Sequence, residues 1–159
     1  YFAGSRGRVD VYAIDVFQRV MDVNLVGTMR CCLAAHPLLA NSKGSIVNMA
    51  SMLSTFGGPL VPAYSASKGG VSQLTKALAG QWAESGIRVN AIAPGWIETE
   101  MTQGLRDNPE RAEGIMARTP MKRWGKTSEV GALVRWLLSD EASFVTGSVY
   151  PVDGGYLAM

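Results

Sequence analysis

Three consecutive stretches decide the fold: GSIVNMAS at Gly44–Ser51, PAYSASKGGVSQLTKALAGQWAES at Pro62–Ser85 and IRVNAIAPG at Ile87–Gly95. Ser45–Ala50 is short and rich in β-formers, so it reads as a strand. Pro62 sits where a first helical turn tolerates proline, and Gly86 marks the stop. Between them Val71, Leu74, Leu78 and Trp82 share one face of a helix. Ala66, Gly69, Gly70 and Ala77 make another part of its surface small enough for a neighbouring backbone to come close. Ile87–Ala93 is a second strand, broken by Pro94-Gly95. Strand, helix, strand is a βαβ unit, which builds parallel sheets with helices on their faces.

Outward from this unit the pattern continues. Helical spacing runs from about Asp15, a candidate N-cap, to Ala40, through Val16, Val20, Val23, Val26, Met29 and Leu33. Pro37 and the cluster Asn41-Ser42-Lys43-Gly44 are expected to end it. Residues 1–14 read as a loop, and residues 96–126 as irregular with one short helix near 109–117. A helix is expected over Ser128–Ser139, capped by Thr127 or Ser128. A last strand, Gly147–Val152, closes on Asp153-Gly154-Gly155.

Composition narrows the function. Of 159 residues 47% are hydrophobic and 18% charged, with a net charge of +2, enough for one core and too little for a basic stripe. Nucleic acid is therefore not an expected partner. Nor is a membrane, since the apolar stretches look shorter than the roughly 18 residues a span needs. Cys31 and Cys32 are adjacent, so a structural disulfide between them is not expected; both read as small buried residues of a reducing, cytoplasmic protein. No Cys/His cluster offers a metal site, and His36, the single histidine, is expected to have no catalytic role.

In such sheets function collects beyond the carboxyl ends of the strands. Ser51 follows the first strand and Pro94-Gly95 the second, while Tyr64 and Lys68 open the helix between them. Four apart on a helix, phenol and ammonium share a face. A nearby cation and the positive end of the helix dipole would both favour the phenolate, making Tyr64 a candidate acid/base. The spacing alone is one that chance supplies. Ser51, thirteen residues earlier, adds a hydroxyl at the strand end. Asn24, flanked by Val23, Leu25 and Val26, is a polar residue in an apolar helix that needs a reason.

Asn24, Ser51, Tyr64 and Lys68 together resemble the Asn-Ser-Tyr-Lys tetrad of the short-chain dehydrogenase/reductase family. VNLVG, GSIVNMAS, YSASKGG, IRVNAIAPG and the closing VDGG at Val152–Gly155 fit the same pattern, from about residue 12 onward. The resemblance implies an α/β fold: a doubly wound, Rossmann-like parallel sheet. It implies hydride transfer between an alcohol or ketone and NAD or NADP. Tyr64 would be the acid/base; Lys68 would lower its pKa and bind the nicotinamide ribose; Ser51 would orient the substrate; Asn24 would hold a relay water. Pro94, Gly95, Ile97 and Thr99 would contact the cofactor, with Asn24, Tyr64 and Lys68. Trp96 and Met101 would join Ser51 and Tyr64 in touching substrate, under a lid at about Thr102–Arg118. The two long helices would build a homodimer or homotetramer.

One departure is plain. The glycine-rich turn that holds a pyrophosphate is absent, because Gly4-Ser5-Arg6-Gly7 follows no strand. Residues 1–159 therefore read as one partial domain, the catalytic portion with the N-terminal dinucleotide-binding strands missing and about three strands retained. Such a piece is expected to be inactive alone; the competing reading is a non-catalytic remnant acting as an oligomerisation module. FGGPLVPAYSASKGG, QLTKALAGQWA and PMKRWG look most like gluconate and deoxygluconate dehydrogenases, with 3-oxoacyl-acyl-carrier-protein reductases next.

Overall fold

The computed structural model describes residues 13–158. The loop expected at the start, with Gly4-Ser5-Arg6-Gly7, lies outside the described residues except for its last two positions. Three strands, β1 (Ser45–Met49), β2 (Arg88–Pro94) and β3 (Val149–Val152), form a parallel sheet in the order β1-β2-β3. The partial parallel sheet expected from the sequence is present. Ser45 pairs with Arg88 and Met49 with Ile92; Ala91 pairs with Val149 and Pro94 with Val152.

The central strand β2 is buried on both faces, as parallel sheets require. Its odd residues Val89, Ala91 and Ala93 face α3 (Pro62–Trp82), packing against Leu78, Ala79, Trp82 and Val71. The alanines let the helix come close. The even residues Asn90 and Ile92 point to the opposite face by the period of two. There α6 (Thr127–Leu138) covers the sheet with Leu137, fully buried. Asn90 stitches the same face: its amide donates to Val145 O (2.8 Å), and its oxygen accepts from Ser148 N (3.1 Å).

The N-terminal helical run is not one regular helix. It comprises α1 (Ile14–Met21), a π-turn (Asp22–Val26) and α2 (Gly27–Ser42). The π-turn resets the phase. Val20, Asn24 and Cys32 are buried, whereas Val23 is 50% exposed and Leu33 52%, so the expected apolar stripe is split. These buried positions lie four and eight residues apart across the bulge, steps that a uniform 3.6-residue helix would rotate away from the core. The run begins one residue before Asp15, with Ala13 as a cap that makes no side-chain bond. It passes through Pro37 and stops at Ser42, where Lys43 turns left-handed (φ 52°) and its N–H and that of Gly44 both donate to Leu39 O. With 29 residues and a mean hydropathy of 1.2 in its best window, Ile14–Ser42 is long and apolar enough to cross a membrane, contrary to expectation. Here α1 and the π-turn pack along α3 instead.

Other boundaries shift for local reasons. Residues 96–126 hold two helices, α4 (Glu100–Arg106) and α5 (Pro109–Arg118). The first was not expected; Thr99 and Thr102 hydroxyls cap it. The N-cap of α6 is Lys126 rather than Thr127 or Ser128, because Glu129 reaches back to accept the Lys126 N–H at 2.7 Å. Cys31 is exposed and only Cys32 is buried, since neighbours on a helix point about 100° apart. His36 packs against Trp82 with ring centroids 4.6 Å apart and the planes tilted by 53°.

Candidate active site

Ser51, Tyr64 and Lys68 meet at the carboxyl end of β1. Ser51 leaves the strand in extended conformation and caps a short 3₁₀ turn, its oxygen accepting the Leu53 N–H at 3.2 Å. One lone pair is thereby used, which favours the hydroxyl as a donor outward. Tyr64 is the third residue of α3, and a hydrogen bond from Ser51 reaches its phenol. Burial pushes the Tyr64 phenol above the ordinary tyrosine range, and the Ser51 bond pulls the other way.

Lys68 bridges the Tyr64 ring and β1. Its Nζ lies over the Tyr64 ring, 5.6 Å from the centroid, and donates to Met49 O at 2.7 Å. Burial holds its ammonium below the usual lysine range. The charge thus rests on the Tyr64 ring and a strand carbonyl.

Asn24 joins through an intermediary. The buried amide donates to Ser67 Oγ at 3.1 Å, and Ser67 donates to Tyr64 O at 2.8 Å. The π-turn aims Asn24 inward, and Thr28 takes up its carbonyl at 2.7 Å. Gly70 lets this turn approach α3: a Cβ there would stand 2.7 Å from Leu25 Cδ2. Ala66 and Ala77, expected on the same close-packing surface, are exposed. A second serine unforeseen in the sequence, Ser54, accepts the Ser51 N–H (3.2 Å) and donates to Lys68 O (2.8 Å). Nothing in a serine's sequence context announces such cross-element bonds.

The Pro94–Thr99 segment forms the next wall. Gly95 is glycine because a Cβ would lie 2.7 Å from the Asp153 backbone. Ile97 is buried and bridges to Gly125. Trp96 joins an aromatic group, 6.0 Å from Trp124 and 6.5 Å from Tyr156, with its indole N–H buried and unbonded. Thr99 shares its hydroxyl with Thr102 at 3.3 Å. Met101 is 76% exposed on α4, away from this packing. A cleft of about 290 Å³ is lined by Trp96, Ile97, Arg123 and Asp153 and not by Ser51, Tyr64 or Lys68. Among the described residues no group of His, Cys, Asp and Glu could hold a metal.

Comparison with known proteins places the chain in a family. A family described as Enoyl-(Acyl carrier protein) reductase matches residues 2–157. The 2-dehydro-3-deoxy-D-gluconate 5-dehydrogenase of Bacillus subtilis (strain 168) is 43% identical over 154 residues, 96% of this chain and 61% of that protein. The chain belongs to the short-chain dehydrogenase/reductase family. Within that family, the galactitol 2-dehydrogenase (L-tagatose-forming) of Cereibacter sphaeroides is 45% identical over 88% of this chain and 56% of its own length. A solved structure from Agrobacterium tumefaciens, assigned as a 2-deoxy-D-gluconate 3-dehydrogenase with bound NADP, superposes with a TM-score of 0.89. It is 41% identical, and the match covers all of this chain and 64% of that one. The short-chain dehydrogenase/reductase chain described here thus spans about 60% of the length of these relatives.

Proposed function

We propose that this chain is the catalytic portion of an NAD(P)-dependent oxidoreductase that interconverts an alcohol and a ketone, with Tyr64 as the acid/base. The observation that carries this reading is the convergence of Ser51, Tyr64 and Lys68 at the end of β1, where the Lys68 ammonium lies over the Tyr64 ring and bonds Met49 O. The donor set suits the nicotinamide end of a dinucleotide: an ammonium, a phenol and a hydroxyl gathered where open α/β sheets bind ligands. Asn24, Tyr64, Lys68, Pro94, Gly95, Ile97 and Thr99 are the residues proposed to hold it. When bound, the nicotinamide would supply or accept the hydride. No glycine-rich turn for its pyrophosphate occurs among the described residues.

The chain's own residues then handle the proton. The buried phenol stays protonated at neutral pH, which suits it to donate to a substrate oxygen during ketone reduction. Ser51, whose single O–H points to the Tyr64 phenol while no substrate is bound, would turn it to that same oxygen and fix its place. Lys68 provides the neighbouring positive charge that a phenolate would need after giving up its proton. The relatives' names favour a sugar acid or polyol as substrate. Association through α2 and α3 is part of the proposal: Leu33 and Leu38 are 52% and 74% exposed, and a Cβ at Gly80 would meet nothing within 4 Å.

The test is Tyr64→Phe in the dehydrogenase that contains this chain, assayed by nicotinamide absorbance against sugar acids and polyols. Turnover should fall by about 10²–10⁴. Near wild-type turnover, with chemistry shown to be rate-limiting, would overturn the assignment.

A further inference from the structure

Two serines outside the four candidate residues connect them in pairs. Ser67 takes the Asn24 amide and holds Tyr64 O, at 3.1 and 2.8 Å. Ser54 takes the Ser51 N–H and holds Lys68 O, at 3.2 and 2.8 Å. The second link is the more telling. Lys68 O lies inside α3, where a helical carbonyl already has an N–H donor four residues on, so the Ser54 bond is not needed to satisfy it. The turn that carries Ser54 is also closed without it, since Ser54 N–H donates to Ser51 O at 2.9 Å. What the hydroxyl adds is a tie between the end of β1 and the second turn of α3.

We propose that Ser54 is a positioning residue, which fixes the spacing between Ser51 and the Tyr64–Lys68 turn and thereby the hydrogen bond from Ser51 to Tyr64. Removing the hydroxyl frees Ser51 N–H and Lys68 O from each other. The turn and helix then slide, and the Ser51–Tyr64 bond lengthens. Misplacement of about 1 Å in such a set costs on the order of 10²-fold in rate. The inference rests on the proposed roles of Ser51 and Tyr64, but its first test reads geometry and not turnover.

That test is a spectrophotometric titration of tyrosine in this chain. The Tyr64 signal is isolated by subtracting a Tyr64→Phe background. The Ser51 bond lowers the phenol's pKa against burial. Ser54→Ala should therefore move the Tyr64 titration upward, and Ser54→Thr should restore it. If Ser54→Ala does not fold, Ser54→Cys, a weaker donor of similar size, should give a smaller upward move. An unmoved titration in a folded Ala or Cys variant overturns the proposal. So does a move downward, which would mean that Tyr64 had merely become exposed. In the active dehydrogenase, Ser54→Ala should lower kcat by about 10- to 100-fold with KM little changed; a loss confined to KM also overturns it. A moved titration with an inactive wild-type enzyme would instead leave the positioning intact and sink the proposed function.

Discussion

Gly95→Ala gives a sharp stability test, because the structure isolates its cause. The backbone of Gly95 is not left-handed, so a methyl group adds no φ strain. It would, however, stand 2.7 Å from both Cα and Cβ of Asp153 and 3.3 Å from its carbonyl oxygen. Carbons meet comfortably at about 3.5–4.0 Å, so the two segments must part by about 1 Å. Overpacking of this kind costs about 1–3 kcal/mol. The same movement pulls on the Gly95 N–H to Val152 O bond (3.0 Å), the last rung between β2 and β3, worth about 1 kcal/mol. The total is about 2–4 kcal/mol. With a urea dependence of about 2 kcal/mol per molar, the unfolding midpoint should fall by about 1–2 M. Tryptophan fluorescence and far-ultraviolet dichroism would follow it. Gly104→Ala is the matched control: nothing lies within 4 Å of its added carbon, and α4 should gain about 0.5–1 kcal/mol. A Gly95→Ala midpoint within about 0.3 M of wild type would refute the close-approach reasoning.

Three further expectations follow from other parts of the molecule. Asn90→Ala strands Val145 O and Ser148 N–H, at about 1–3 kcal/mol each, so thermal unfolding should report a loss of about 2–6 kcal/mol; less than 1 would mean that water replaces the amide. Arg123 beside Glu129 holds that carboxyl down to about 2 from the ordinary 4.5, so its contribution is complete above 4.5 and disappears as pH falls through 2. Glu129→Gln should flatten the stability profile across that window, and an unchanged acid limb would remove the α6 cap from consideration. This chain alone should neither reduce NAD or NADP with an alcohol nor oxidise NADH or NADPH with a ketone, lacking a pyrophosphate turn among its described residues; saturable nicotinamide turnover by the purified chain would show otherwise.

Much of the fold was legible because periodicity reports burial. The run 45–95 alternates between strand and helix, with its large apolar residues on one face of α3, and the structure keeps that arrangement. The N-terminal stripe misled because a π-turn changes the number of residues per turn, and nothing in Val23-Asn24-Leu25-Val26 marks that except the misplaced asparagine. Helix α4 was missed for a related reason: its start depends on a Thr99–Thr102 exchange, and its seven residues bury no apolar face. At the site, residue types and their order pointed to Asn24, Ser51, Tyr64 and Lys68. They did not reveal that Ser54 and Ser67 tie these groups together, because a serine's partner is set by three-dimensional packing. Nor did the spacing of Tyr64 and Lys68 reveal that the ammonium turns toward Met49 O.

That last contact has a consequence for assembly of the sheet. Gly44 O and Ala50 N bond to β2, so the alternate residues Ser45, Val47 and Met49 present their backbone groups to the other side of β1. Along that side the Lys68 ammonium caps only the final carbonyl. A strand from elsewhere in the polypeptide could pair freely from Ser45, but at Met49 it would have to share or displace the lysine. Pairing along that side of β1 and the resting place of the Lys68 ammonium are thus linked, two residues before Ser51, where the chemistry is proposed to begin.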